Sequence, residues 1–197
     1  MRIMLIVAWL FAGLGGVIYH YGPGQEKLEV DQISGLLRQA RQSATAKDFT
    51  KAVGLFDEAL AEMPSDKITE SRVVALEKAK AQMMASQLPK ARASLESLLS
   101  EVRADENADS EFVADVQSTL ANSQYYMTWL MRLEGQPEEM WKPEIEAARQ
   151  HYAQLTKDAK KIGNDKLLKT SLEDLESSIR LARMDLSELQ SLPLPSQ

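Results

Sequence analysis

The segment from Leu36 to Pro64 constrains the fold most, because its small and aromatic residues recur at intervals that suit two helices packed against each other. Small side chains at a contact allow two helix backbones to approach closely, and aromatic side chains fill the space beside them. The small residues are Ala40, Ala52 and Ala59, and the aromatic residues are Phe49 and Phe56. One such hairpin buries too little apolar surface to be stable alone, so the segment predicts a stack of helical hairpins.

The composition of the 197-residue chain favours an all-α fold. Glycine (9) and proline (7) are few and only 6% of the residues are aromatic, which disfavours a sheet protein. The absence of cysteine excludes disulfides, thiolate metal sites and a cysteine nucleophile. A formal net charge of −6 disfavours nucleic-acid binding, because the phosphate backbone would be repelled at long range.

An apolar run from Ile3 to Tyr21 predicts a transmembrane signal-anchor helix over residues 1–21. The run holds 19 residues without Asp, Glu, Lys or Arg, enough for a helix to cross a bilayer core of ~30 Å. Its bulky last residues lack a small-residue cleavage pattern, which favours an uncleaved anchor over a signal peptide removed on secretion. Arg2 favours a cytoplasmic N-terminus. We therefore expect a single-pass membrane protein with its domain on the outer, periplasmic or extracytoplasmic side, and secretion after signal cleavage is the alternative.

The rest of the chain divides at polar, glycine and proline residues. Glycines on both sides of Pro23 predict a hinge over residues 22–25, because proline cannot continue a helical hydrogen-bond ladder. Apolar spacing of three and four residues then predicts helical hairpins over about 26–63, 66–104 and 110–162, followed by a helix over 165–190. The tail 191–197 contains two prolines and is expected to be extended.

The first hairpin resembles the tetratricopeptide repeat. Leu36 stands where that family has tryptophan and Ala40 where it has a small glycine, whereas Gln39 and Ser43 depart from its leucine and tyrosine. Its alanine, aromatic, alanine and closing proline correspond to Ala52, Phe56, Ala59 and Pro64. The resemblance covers about Leu36 to Leu99 and implies a short solenoid of antiparallel hairpins that binds other proteins.

A second copy of the pattern lies 39 residues further along the chain, about five residues more than the family period. Ala40 recurs as Ala79, and Ala52 recurs as Ala91. The third hairpin is inferred from periodicity alone. The residues expected to pack between repeated helices are Leu36, Ala40, Phe49, Ala52, Phe56, Ala59, Pro64, Ala79, Leu88, Ala91 and Leu95.

The helix over 165–190 carries an apolar stripe at alternating spacings of four and three residues. Its members are Leu168, Leu172, Leu175, Ile179, Ala182, Leu186 and Leu189. The stripe predicts a capping helix that covers the last hairpin. A coiled-coil seam between two copies of the chain is the alternative, because the same repeat also suits a dimer.

No residue pattern argues for catalysis, a metal or a cofactor. The two histidines, His20 and His151, have no partner at metal-ligand spacing. The sequence also has no phosphate-binding loop and no nucleophile motif. We therefore expect a protein that is not an enzyme.

A hairpin array offers a concave wall built mainly from the first helix of each hairpin. Residues one, four and five positions after Ala40, Ala79 and the small residue Ala121 are expected to face that wall. The candidate set is Arg41, Lys80, Met83, Met84, Asn122, Tyr125 and Tyr126. Such a groove would suit a partly apolar peptide or helix of a protein partner. The alternative is that the methionines and tyrosines fill the core. We predict a membrane-anchored interaction module or scaffold, and a structural subunit that dimerises through its last helix is the competing function.

Overall fold

The computed structural model describes residues 23–191, and its regular elements over that range are all α-helices. The predicted all-α class is therefore confirmed, and the helices pack in consecutive pairs. Eight helices occupy the described range: α1 (Pro23–Thr45), α2 (Phe49–Glu62), α3 (Ile68–Met84), α4 (Leu88–Ala104), α5 (Ser110–Leu133), α6 (Glu138–Ile162), α7 (Asp165–Arg183) and α8 (Leu186–Ser191).

The described residues form two compact units, which are divided between Ile68 and Thr69. In the first unit, α1 packs against α2. Ala40, Ala52 and Ala59 are fully buried between these helices and Phe56 is 2% exposed. The side chain of Asp48 caps α2 by accepting a hydrogen bond from the backbone N–H of Lys51 at 3.2 Å.

The second unit has its main core where α3, α4 and α5 meet. Ala79 of α3 and Ala91 of α4 are fully buried. The shared cluster consists of Leu76, Ala79, Leu95, Leu98, Leu99, Val102, Val116 and Leu120. Two further clusters join α5 to α6 and α7: one of Ala121, Ala148, Tyr152 and Leu155, the other of Trp129, Ile145, Leu181 and Leu189.

The turns after α1 and α3 have the same backbone conformation. Lys47 and Ser86, which are 39 residues apart, both lie in the left-handed region, with φ of 62° and 59°. The next residue donates its N–H back to the helix in each case, from Asp48 to the Ser43 carbonyl at 2.9 Å and from Gln87 to the Gln82 carbonyl at 2.8 Å. This is the Schellman pattern of a helix C-terminus.

The turns after α5 and α6 use the same pattern with glycine. Gly135 and Gly163 both have φ of 70°. Gln136 donates to the Met131 carbonyl at 2.9 Å, and Asn164 donates to the Ala159 carbonyl at 3.0 Å. Because glycine has no Cβ, it adopts this conformation without the strain that Lys47 and Ser86 carry.

The single helix predicted over 165–190 is wrong, because α7 ends at Arg183 and α8 begins at Leu186. Asp185 starts the new helix as half of a capping box with Glu188. The Asp185 carboxylate accepts from the Glu188 N–H at 2.8 Å, and the Glu188 carboxylate accepts from the Asp185 N–H at 3.1 Å. The chain thereby changes direction, and Leu189 becomes fully buried.

Arg132 of α5 holds the end of α7. Its guanidinium donates hydrogen bonds to the carbonyls of Leu181 and Met184 and lies 4.8 Å from the centre of the Trp141 ring. A cation at a helix C-terminus satisfies carbonyls that have no partner within the helix. Arg132 therefore fixes the point at which α7 stops.

The leucine stripe predicted for the last helix forms only part of the buried surface of α7 and α8. The buried residues of α7 are Ser171, Ser178 and Leu181, while Leu172 is 45% exposed. The serine side chains allow α7 to approach α6 closely, and Thr156 donates to Ser171 at 3.3 Å across that contact. Of the predicted stripe, Leu175 packs against the cluster around Tyr152, Ala182 packs against the cluster around Trp129, and Leu189 is fully buried.

The predicted single-pass location is contradicted, because no helix within residues 23–191 is both long enough and apolar enough to cross a bilayer. The anchor of residues 3–21, on which the prediction and its secreted alternative were based, lies outside the described residues. Of the predicted extended tail over 191–197, Ser191 is the last residue of α8 and the rest also lies outside the described residues. The predicted hinge over 22–25 is wrong for its described residues, because residues 23–25 all belong to α1. Pro23 is the first residue of α1, a position where the missing N–H costs no helical hydrogen bond.

Candidate protein-binding surface

The first helices of the pairs in the second unit, α3, α5 and α7, lie side by side. Lys80 of α3 donates to both carboxylate oxygens of Asp115 of α5, at 2.9 and 3.0 Å. Helix α5 in turn contacts α7. The second helices α4 and α6 are linked by Arg92 and Glu144, whose nearest atoms are 2.8 Å apart. We call the row formed by α3, α5 and α7 the first-helix row.

Three predicted groove residues come together on α5. Tyr125 and Tyr126 have ring centroids 5.7 Å apart and planes inclined by 82°, which is an edge-to-face arrangement. Asn122, one turn earlier, accepts a hydrogen bond from the hydroxyl of Tyr152 of α6 at 2.7 Å. Tyr125 and Tyr126 are both half-buried.

The other predicted groove residues have different surroundings. Lys80 is paired with Asp115, and both side chains remain about half exposed. Met83 packs against the core of α3, α4 and α5, and Tyr125 packs against the cluster around Trp129, as the core alternative predicted. Met84 is half-buried, and Arg41 lies on α1 in the first unit, beside a shallow hollow with Arg38, Gln42 and Thr45. The structure therefore brings together only part of the predicted set.

Asp174 of α7 belongs to the same surface and was missed by sequence reasoning. It is half-buried and lies three residues after Ser171 and four before Ser178, on the face that α7 turns toward its neighbours. Its charge contributes to the raised pKa values of Tyr125, Tyr126 and Tyr152, which places it within electrostatic reach of all three hydroxyls. The serines at three- and four-residue spacing around it could have indicated this face.

Burial governs the ionisation of this group of residues. Desolvation is the main cause that raises the pKa of Asp174, with a smaller effect from the charge of Glu173. Desolvation also raises the pKa values of Tyr125 and Tyr126. Within residues 23–191, Asp174 makes no hydrogen bond and no ion pair.

The sequence matches no protein-family model, and no curated protein matches it significantly. The residues expected to pack between repeats are therefore described by their burial alone. Leu36, Phe49 and Pro64 are half-buried. The fully buried or nearly buried members are Ala40, Ala52, Phe56, Ala59, Ala79, Leu88, Ala91 and Leu95.

The described part of the chain contains no group of three or more histidines and acids that could hold a metal ion. His151 is half-buried on α6, and desolvation followed by the nearby charge of Arg103 lowers its pKa. Its backbone carbonyl accepts a hydrogen bond from Gln117 at 2.9 Å, while Gln117 accepts from Arg103 at 2.7 Å. These contacts connect α4, α5 and α6, which is a structural role. His20 lies outside the described residues.

Proposed function

We propose that this chain is a protein-interaction module of the tetratricopeptide-like class, which binds or scaffolds a protein partner along the first-helix row. The repeated architecture supports this class. The turns at Lys47 and Ser86 have the same left-handed residue and the same hydrogen bond 39 residues apart. The same interval of 39 residues separates the fully buried alanines Ala40 and Ala79, and likewise Ala52 and Ala91, which favours two copies of one hairpin unit.

The observation that carries the binding proposal is the state of the tyrosines on α5. Tyr125 and Tyr126 each expose part of a ring, and neither hydroxyl has a hydrogen-bond partner within residues 23–191. Tyrosine supplies a large contact area together with a polar tip, and it is enriched where proteins meet. The first-helix row thus offers aromatic area and hydroxyl groups that a partner can engage.

Site-specific photocrosslinking in the native host tests this function. A benzoylphenylalanine residue replaces Tyr126 or Met84 on the first-helix row, and Lys157 on α6 serves as the exposed control position. We expect the same protein to be crosslinked from positions 126 and 84 but not from 157. Absence of a crosslink at 126 and 84, or equal yields from all three positions, would reject the proposal.

Self-assembly is a second candidate because the leucine stripe of α7 is incompletely covered. Leu172 is 45% exposed, and Leu168 and Ile179 on the same stripe are half-buried. Light scattering of the full chain distinguishes the two functions. A dimer that becomes a monomer on Leu172→Asp would support self-assembly, whereas a monomer at all concentrations would exclude it.

A further inference from the structure

We propose that a recess between the α4–α5 loop and the α6–α7 turn binds a short acidic segment of a partner polypeptide. An apolar side chain of that segment enters the recess, and a neighbouring carboxylate contacts Arg103 and Lys161. This inference goes beyond the proposed function, because α4 and α6 line the recess together with α5 and α7, and Tyr126 and Met84 do not.

The recess is large enough for one bulky side chain. Its volume is about 370 Å³, at the small end of the range of binding clefts in proteins. The accessible apolar residues that line it are Ala108, Val113, Ala114, Ile162 and Leu167. Ile162 is 55% exposed, so a side chain that enters the recess covers apolar surface now in contact with water.

A second cavity continues the recess along α5. It has a volume of about 500 Å³ and shares Ser110, Ala114, Ile162 and Leu167 with the recess. Helix α5 lines the two cavities from Ser110 to Ser118, a rise of about 12 Å. About four residues of an extended chain cover that distance. The elongated groove therefore suits a short peptide segment better than a compact small molecule.

Two cations at the recess have no carboxylate partner. Arg103 and Lys161 both line it, and neither forms an ion pair in the described part of the chain. The Arg103 guanidinium donates a hydrogen bond to the side-chain oxygen of Gln117 at 2.7 Å, and Gln117 is 2% exposed. The arginine is thus held in position by a neutral group that leaves its charge available to an incoming carboxylate.

The acids that line the recess already accept hydrogen bonds. Asp105 accepts from Arg72 at 2.6 Å, and Asp158 accepts from the Gln154 amide at 3.0 and 3.1 Å. With Arg72 included, three cations stand against two carboxylates here, whereas the whole chain has a net charge of −6. This local excess of positive charge favours an acidic ligand over a basic one.

The test is a titration of the full chain with short peptides, followed by the amide resonances of residues 103–118 and 158–167. The probe is acetyl-Asp-Leu-Asp-Gly-amide. One analogue has asparagine at both acidic positions, which keeps the shape and removes the charge, and the other has alanine in place of leucine. We expect saturable shifts with the probe and at least fivefold weaker binding of each analogue.

Three variants locate the binding site. Lys161→Gln should weaken binding of the acidic probe at least fivefold, and Ile162→Ser should weaken it at least threefold. Lys157→Gln should change it less than twofold, because this control removes the same charge one turn earlier on α6, from an exposed side chain that lines neither cavity. Unchanged helicity by circular dichroism shows that the variants are folded.

The results that would overturn the inference are equally specific. They are the absence of saturable shifts, equal binding of the acidic and asparagine peptides, or equal binding by the wild type and Lys161→Gln. Shifts confined to residues 122–130 would place the probe on the first-helix row and would also overturn it. Crosslinking from positions 126 and 84 tests the proposed function separately, because neither residue lines the recess.

Discussion

The contact between α3 and α4 is apolar, whereas the contact between α6 and α7 combines apolar packing with buried serine and threonine side chains. In α3–α4, the alanines Ala79 and Ala91 are fully buried and leucines fill the surrounding core. In α6–α7, the buried positions of α7 include Ser171 and Ser178, and a hydrogen bond from Thr156 crosses the contact. Apolar contacts can be repeated along a chain without change, whereas each polar contact requires its own partner.

The largest effect is expected where the alanine packing is broken. Ala91→Leu should lower the free energy of unfolding by about 3 kcal/mol, because a larger side chain cannot fit without backbone displacement. Ala93→Leu on the same helix is the control, since Ala93 is exposed and a surface change costs less than about 0.5 kcal/mol. Urea denaturation measures both values. A comparable loss in the two variants would show that close packing at Ala91 is unimportant.

The next largest effect is expected at Arg132, whose hydrogen bonds hold the end of α7. Arg132→Met keeps an apolar stem but removes the donors to the Leu181 and Met184 carbonyls, so we expect a loss of about 2 kcal/mol. Hydrogen exchange should accelerate in residues 186–191 and remain unchanged in α4. Arg183→Met, at an exposed position in the last turn of α7, is the matched control. Unchanged exchange in α8 would refute the role of Arg132.

Glycine substitution should relieve the strained turns of the alanine-packed hairpins. Lys47→Gly and Ser86→Gly are each expected to stabilise by about 1 kcal/mol, because both residues have positive φ. The reverse changes, Gly135→Ala and Gly163→Ala, should destabilise by a similar amount. Thermal unfolding of the four variants measures these changes in stability. Changes of the same sign at all four positions would disprove the explanation by positive φ.

Asp174→Asn should raise the stability at pH 7 slightly, by less than about 1 kcal/mol, since solvent screens this half-buried group. The pKa of Asp174 is raised in the folded protein, so its protonated form favours folding. That contribution is complete below the unfolded pKa and is lost as the pH rises through the folded pKa. The advantage of the variant should therefore shrink when denaturation is repeated toward pH 4. Glu173→Gln should show no such pH-dependent gain.

The pH dependence of stability expected from His151 is opposite in sign to that expected from Asp174. Its pKa is lowered on folding, so the neutral ring favours the folded state. The resulting stability is present above the unfolded pKa of about 6.5 and is lost as the pH falls through the folded pKa. Wild-type stability should decline between pH 7.5 and 5.5 more than that of His151→Gln. Parallel pH profiles of the two proteins would contradict this expectation.

The contrast between the two pairs explains which features the sequence could predict. Ala40, Ala79 and their partners recur at a fixed interval, and a fixed interval is visible in a single chain. Arg132 contacts carbonyls about 50 residues away in the sequence. The electrostatic effect of Asp174 on tyrosines of α5 and α6 likewise depends on helices that are distant in the sequence. Spacing along one helix contains no information about such partners.

The division between α7 and α8 had a local signal that a stronger pattern concealed. Asp185 and Glu188 have the three-residue separation of a capping box. The stripe from Leu168 to Leu189 nevertheless continues across that point in register, which favoured one unbroken helix. Periodicity describes where apolar residues would lie if the helix continued, but it does not show that the helix continues.

The matching turns at Lys47 and Ser86 show that two helix ends of this chain can differ in sequence and still have the same backbone conformation. Ala46-Lys47-Asp48 and Ala85-Ser86-Gln87 share only the alanine, yet they follow the same path. The hydrogen bonds of a helix end can therefore be kept after almost all residue identity at the turn has been lost.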